Sequence, residues 1–248
     1  MPDETPDRAG FWPRAIALFI DSCLITFILG FLGLVLFAPT GGRIRVAGAL
    51  VSSLQCSPQS LQVLQELNVS IPPDFQLTYI GRCTRSVLGH VHDRVLFVTD
   101  KVPSSAAGHA RELTFPLDAE GRPTRAFYLD YLGGLLFAAY VLLSEWRTGR
   151  TLGKDLMDIR VQSLAGGPPN FVQTAKRFVL RFSGLILSEI LSLLSVTGAI
   201  VSTAADFVWF GVGLVLSVAV LVNFIISVRR NALPWHDRFA GTEVVLGR

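Results

Sequence analysis

AIALFIDSCLITFILGFLGLVLFA, residues 15–38, decides how this chain is read: 24 residues in which Asp21 is the sole charge. As a helix the run is long enough to cross a bilayer. A carboxylate placed in hydrocarbon costs about 2.5–3.5 kcal/mol on insertion scales, so a partner must compensate it. Arg14 stands seven residues earlier, almost two helical turns, and projects from nearly the same face. The stretch therefore predicts a membrane helix with a polar feature that anchoring alone does not require.

Composition agrees. Half of the residues are hydrophobic, 17% are charged, and the mean hydropathy of +0.48 is high for a soluble chain. Three further apolar runs can span: 126–144 with Asp130, 182–201 with Glu189, and 207–228 with no charge but with Asn223. The first run is too long for a signal-peptide core and lacks a small-residue cleavage site, so it is expected to be a mature helix. The predicted fold is a mainly α membrane protein. It comprises a four-helix transmembrane bundle, a small α+β extracytoplasmic insert and a short cytoplasmic β ribbon.

Basic residues orient that bundle. Arg147, Arg150, Lys154, Arg160, Lys176 and Arg177 lie between the second and third runs, and Arg229, Arg230, Arg238 and Arg248 follow the fourth. Short basic flanks stay in the cytoplasm, which puts both termini there and places the chain in the cell membrane. The expected organisation is a cytoplasmic tail (1–12) and a membrane domain (13–38 and 126–228) that includes the cytoplasmic loop 145–177. An extracytoplasmic insert (39–125) and a cytoplasmic C-terminal segment (229–248) complete it.

Within the insert, Ser57-Pro58 reads as a helix start, followed by Leu61, Leu64 and Leu67 at helical spacing. Phe75, Leu77 and Tyr79 alternate with polar neighbours as a strand does, and 95–99 and 113–117 read as two more. Residues 118–123, Asp-Ala-Glu-Gly-Arg-Pro, form a turn signal. Under 90 residues make a marginal core, and Cys56 with Cys83 is the candidate disulfide in an oxidising compartment. Cys23 reads as a packing residue.

The loop has its own pattern. Gly149-Arg150-Thr151-Leu152-Gly153-Lys154 leads into Asp158-Ile159-Arg160-Val161-Gln162-Ser163, which alternates, as does Gly241-Thr242-Glu243-Val244-Val245-Leu246 at the C-terminus. These two stretches are predicted to pair as a ribbon. Asn170 with Gln173 resembles a capping box opening the helix that becomes the third span.

At these residues the chain resembles the RDD family of membrane proteins. The resemblance is carried by Gly10-Phe11-Trp12-Pro13-Arg14 with Asp21, by Thr151-Leu152-Gly153-Lys154 with Arg160-Val161, and by the segment from His236-Asp237 to Ala240-Gly241-Thr242. It assigns Arg14, Asp21 and Asp237 to the arginine and two aspartates that name the family. Residues 39–125 fall outside it, and Asp155 stands where a basic residue is expected. It implies a role in transport of a small ligand or ion.

Asp21, Glu189 and Asn223 form the candidate intramembrane polar site, since helical rise brings all three toward the inner half of a bundle. Two readings stand open. In one the acids are exchangeable cation or proton ligands. In the other, Arg14 or Arg181 neutralises Asp21 and Asn223 bridges helices at about 0.6–2 kcal/mol. No metal is expected: His236-Asp237 lacks further ligands, and His90, His92 and Asp93, with His109 elsewhere, fall short of a zinc site. No cofactor motif, enzymatic nucleophile constellation or nucleic-acid signal is present, and the net charge of +3 follows from topology. Expected partners are the lipid bilayer, a second copy of the chain and a protein at the extracytoplasmic domain. Two functions remain: cation–proton exchange or other small-ligand transport, which the resemblance favours, and a scaffold, assembly or sensing protein, which the insert favours.

Overall fold

Apolar patterning and capping lay out the elements in chain order. A computed structural model describes residues 7–46, 52–73, 75–100, 112–196 and 203–247, with side chains described for all but 192–196 and 203–210. The 27-residue α1 (Phe11–Phe37) comes first, followed by β1 (Ile44–Arg45), β2 (Ser53–Pro58), α2 (Gln62–Glu66), β3 (Tyr79–Val87), β4 (His90–Thr99), β5 (Glu112–Pro116) and β6 (Phe127–Tyr128). A 3-10 turn (Leu129–Leu132) leads into α3 (Gly133–Thr148), α4 (Leu152–Leu156), β7 (Ile159–Ser163), α5 (Phe171–Arg181) and α6 (Ser183–Val196). The chain closes with α7 (Thr203–Arg229), α8 (Trp235–Ala240) and β8 (Thr242–Leu246).

Two compact units result: a terminal unit of Met1–Ile25 with Tyr131–Arg248, and an inserted unit, Thr26–Asp130. Phe11–Phe37 and Gly211–Arg229 are each long and apolar enough to cross a membrane, and only 17% and 11% of their most apolar windows are buried. A core helix of a soluble protein would be mostly covered, so this exposure of Phe, Leu and Val fits a hydrocarbon solvent. The other two expected spans are shorter among the described residues. The run 126–144 spends its start in β6 and the 3-10 turn, and α3 has 16 residues. The run beginning at 182 yields the 14 residues of α6, and its continuation lies outside the described residues. The helix opened by Asn170 also ends sooner than predicted, breaking at Phe182 to give α5 and α6.

In the terminal unit β7 and β8 pair antiparallel, Val161 opposite Val244, and Arg8 bridges to Val245 on the ribbon's other edge. Ile159, Val161 and Val244 bury their faces with Ala9 and Ala17, so the ribbon is supported by the first helix rather than standing alone in water. Asn170 and Gln173 close a reciprocal capping box. The Gln173 amide also donates to Ser163 Oγ (3.1 Å) and to the Gly241 carbonyl (3.2 Å), joining the cap to the ribbon.

The inserted unit is a four-stranded sheet in the order β2-β3-β4-β5. Leu64 of α2 covers one face with Ile80, Leu96, Val98 and Leu117. Ser57-Pro58 is a correction: it ends β2 opposite Arg82 and Gly81 of β3, and the helix begins beyond Leu61. Pairing with β3 outweighs the local capping signal, because β2 is an edge strand and Pro is tolerated there. Phe75 and Leu77 pack into the core without forming a ladder, and the strand starts only at Tyr79. Cys56 and Cys83 are cross-strand partners and form a disulfide. Asp118 Oδ1 accepts from the amides of Glu120 (3.0 Å) and Arg122 (2.7 Å), which makes residues 118–123 turn.

Candidate functional site: a buried ionic clasp

α1, α3, α4, α5 and α8 each send a charged side chain to one place in the terminal unit. Arg14, Asp21, Glu145, Lys154, Arg177 and Asp237 are all at most 7% exposed. Charges at that depth persist only when paired and hydrogen-bonded.

Asp21 is held by donors that carry no charge. Its Oδ1 accepts from the Tyr140 hydroxyl (2.9 Å) and the Gly153 amide (2.8 Å), and its Oδ2 from the Thr151 hydroxyl (2.5 Å). Gly153 sits in the first turn of α4, where amides have no intrahelical acceptor and favour a carboxylate. The Tyr140 oxygen in turn accepts from the Leu152 amide at 2.8 Å. Each residue of Thr151-Leu152-Gly153-Lys154 thus has a physical task. Thr151 caps α4, accepting from the Lys154 amide, and Leu152 and Gly153 lend amides. Gly153 is obligatory for close approach, since a Cβ there would overlap the Ala17 carbonyl oxygen of α1.

Lys154 begins the ionic chain. Its ammonium bonds Glu145 Oε1, and Glu145 Oε2 accepts from Arg177 Nη1 at 2.7 Å. Arg177 Nε reaches Asp237 Oδ1 at 2.6 Å, and Asp237 Oδ2 pairs with Arg14 Nη1 at 3.3 Å. Arg14 completes its fork on the carbonyls of Ala9 (3.0 Å) and Val244 (3.2 Å). Five charges from five elements therefore form one continuous chain.

Burial opposes ionisation of Asp237, but the Arg177 and Arg14 guanidiniums prevail and hold its carboxyl at about 2. Burial pulls the Lys154 ammonium down to about 8, with Glu145 resisting. Burial also drives His236 down to about 3 although Asp237 acts the other way, so the ring is neutral at pH 7. Arg177 moves upward: burial works against its charge, and Asp237 and Glu145 outweigh that.

The expected meeting of Asp21, Glu189 and Asn223 is corrected by these partners. Glu189 on α6 packs against Gly134 of α3, where a Cβ would press on its carboxyl carbon at 2.9 Å. Asn223 on α7 accepts the Trp235 amide at 2.9 Å and so caps the start of α8. Helical rise gave the depth of each residue but not the face it presents. Arg14 is likewise not the partner of Asp21: its chain folds toward Asp237 instead. Arg160 is exposed on the ribbon and takes no part. Glu145, Lys154 and Arg177 are the members that sequence reasoning passed over as pairs. An acid ending an apolar run beside a loop rich in Lys and Arg was the one available signal.

No group of three or more His, Cys, Asp or Glu able to hold a metal occurs among the described residues. A β-bulge explains the histidines of β4: Arg85 pairs with Asp93 and Ser86 with Val91, leaving His92 as the extra residue. His92 is buried with Nδ1 3.0 Å from the Val46 carbonyl oxygen, while His90 is exposed. Asp93 is occupied by Arg45 (3.0 Å) and Arg85 (3.1 Å). His109 lies outside the described residues.

Two long lipid-type helices, of which α1 carries Arg14 and Asp21 of the buried polar cluster, suggest a membrane protein. The RDD family's sequence profile matches residues 98–241, more than half of the chain, and the chain belongs to that family. The match takes in Asp237 and the Thr151–Lys154 element. It begins within the segment expected to fall outside the resemblance and does not reach Arg14 or Asp21. The geometry joins those two residues to the matched part directly, through Asp237, Thr151 and Gly153. Comparisons with curated proteins and with solved structures found no match.

Proposed function

We propose that the chain is a multi-pass membrane scaffold. In this reading the four apolar segments built on α1, α3, α6 and α7 cross the cell membrane, both termini and the clasp face the cytoplasm, and residues 39–125 stand outside to engage a partner protein. Asp21, Asp237 and Arg14 then serve the fold. The observation that carries this is that each of the three is already partnered within the fold. Asp21 accepts three hydrogen bonds, Asp237 two charged ones, and Arg14 donates three. The cavity beside them is about 20 Å³, room for one water and too small for a hydrated cation. First-helix residues pair with positions more than 200 residues later, which supports retention of α1 in the mature protein.

Cation–proton exchange is the second reading. It draws on Lys154, which titrates at about 8 beside Glu145 on that same cavity. The deciding experiment reconstitutes the full chain in vesicles and follows internal pH after external Na⁺, K⁺ or Li⁺ is added, for wild type, Asp21→Asn and Lys154→Met. The scaffold reading expects no cation-dependent proton movement in wild type and thermal destabilisation of both variants. Proton movement lost in either variant at unchanged stability would overturn it.

A further inference from the structure

Among the described residues, one of the cations gathered at the clasp is not bonded to any of its carboxylates. Arg181, at the end of α5, makes no hydrogen bond or ion pair among the described residues, and its guanidinium carbon lies 5.2 Å over the Phe182 ring. The charge count around it is unbalanced. Arg14, Lys154, Arg177 and Arg181 face Asp21, Glu145 and Asp237, four cations against three carboxylates, and His236 is neutral at pH 7. One positive charge is left over. The surplus belongs to the group as a whole, since the ionic chain already sets Lys154, Arg177 and Arg14 against Glu145 and Asp237, and Arg181 is the member whose guanidinium is bonded to none of the acids.

Arg181 also borders a groove of about 500 Å³ between α1, α6 and α7. Leu18, Phe19 and Ala15 line one wall, Leu185 the floor, and Val220 and Leu221 the other wall, with Arg14 and His236 beside Arg181 at one end. The two serines on the walls spend their hydroxyls on their own helices, Ser22 on the Leu18 carbonyl and Ser217 on the Gly213 carbonyl. From Arg14 to Ser22 the apolar wall extends about 12 Å along α1 at helical rise. Phe19, Leu185 and Leu221 of its lining are exposed apolar side chains.

We propose that this groove is a binding site for an anionic phospholipid, with the phosphate on Arg181 and the upper part of an acyl chain against α1 and α7. The chemistry is complementary at both ends. A partly desolvated guanidinium bonded to no carboxylate attracts a phosphate by charge-assisted bonding, and the apolar walls replace hydrocarbon neighbours. A zwitterionic lipid brings its own cation and gains less from the surplus charge. Arg14 is already committed to the clasp, with three of its five N–H groups on Ala9, Asp237 and Val244. Recognition therefore rests on Arg181.

The test uses the full chain in a neutral detergent and measures displacement of a fluorescent anionic lipid by phosphatidylglycerol, phosphatidylcholine and glycerol phosphate. The expected result is a preference of about tenfold or more for phosphatidylglycerol over phosphatidylcholine, lost in Arg181→Gln and largely retained in Arg181→Lys. Glycerol phosphate should compete weakly, because it lacks the chain. Leu221→Trp fills the groove with the charge intact and should also abolish the preference. Equal displacement by the two lipids would mean ordinary boundary lipid, and glycerol phosphate matching phosphatidylglycerol would mean a free-phosphate site. Either overturns the proposal, as does an unchanged preference in Arg181→Gln. Where Arg181→Gln fails to fold, Leu221→Trp decides alone: a retained preference refutes the site.

Discussion

Arg177→Met removes the centre of the clasp. Arg177 donates to Asp237 at 2.6 Å and to Glu145 at 2.7 Å while only 2% exposed. Taking one partner from a buried ionic pair costs about 3–5 kcal/mol, because the remaining charge keeps its desolvation penalty. Two carboxylates lose a bond here, yet each retains a cation, Asp237 through Arg14 and Glu145 through Lys154. The loss should therefore fall within that range and not double it. Arg177→Lys keeps the charge but lacks the fork that spans both acids, so it should recover only part of the loss. Unfolding of purified protein by SDS in mixed micelles, followed by tryptophan fluorescence, reads the shift. The double variant Arg177→Met with Asp237→Asn should be less damaging than the two single losses added, with coupling of about 0.5–3 kcal/mol. Additive losses, or an Arg177→Met change below about 0.5 kcal/mol, would refute the clasp as the element that fastens these helices.

Gly153→Ala should destabilise by about 1–3 kcal/mol in the same titration, since its methyl meets the Ala17 carbonyl and pushes α4 off Asp21. Glu189→Gln should change stability by less than Asp21→Asn, which faces three donors with one acceptor oxygen where the carboxylate had two. The Asp237 carboxyl is depressed to about 2 from its ordinary 3.8, so its contribution is full above pH 3.8 and is lost as pH falls toward 2. Unfolding midpoints measured down that window should drop in wild type and stay flatter in Asp237→Asn. Cys56→Ser with Cys83→Ser opens a bridge across 27 positions, and hydrogen exchange in β2 and β3 should rise as about 3–4 kcal/mol of chain-entropy stabilisation is lost.

Much of the architecture was legible because its signals are local. Apolar run length marked α1 and α7, period-two alternation marked β7 and β8, and Asn170 with Gln173 marked a helix start. Two cysteines in one segment were enough to suggest their pairing, which the β2–β3 register places face to face. Ser57-Pro58 misled because a capping signal and an edge strand use the same residues. The polar site misled for a different reason. Depth along a helix follows from residue number, whereas the face that meets a neighbour depends on how helices pack.

The sequence by itself determined that this is a membrane chain with buried charge at Arg14 and Asp21, because hydrocarbon tolerates so few such residues that each one is conspicuous. Only the tertiary structure decided which charges satisfy which. Arg14 pairs with Asp237 across 223 residues and Arg177 with Asp237 across 60, while Asp21 takes amide and hydroxyl donors instead of a cation. Ion pairing is set by distance in space and by competition among several neighbours for each lone pair. Neither is written in any local stretch of chain, and Arg181 stands out as the clasp cation bonded to no carboxylate only once the other partners have been placed.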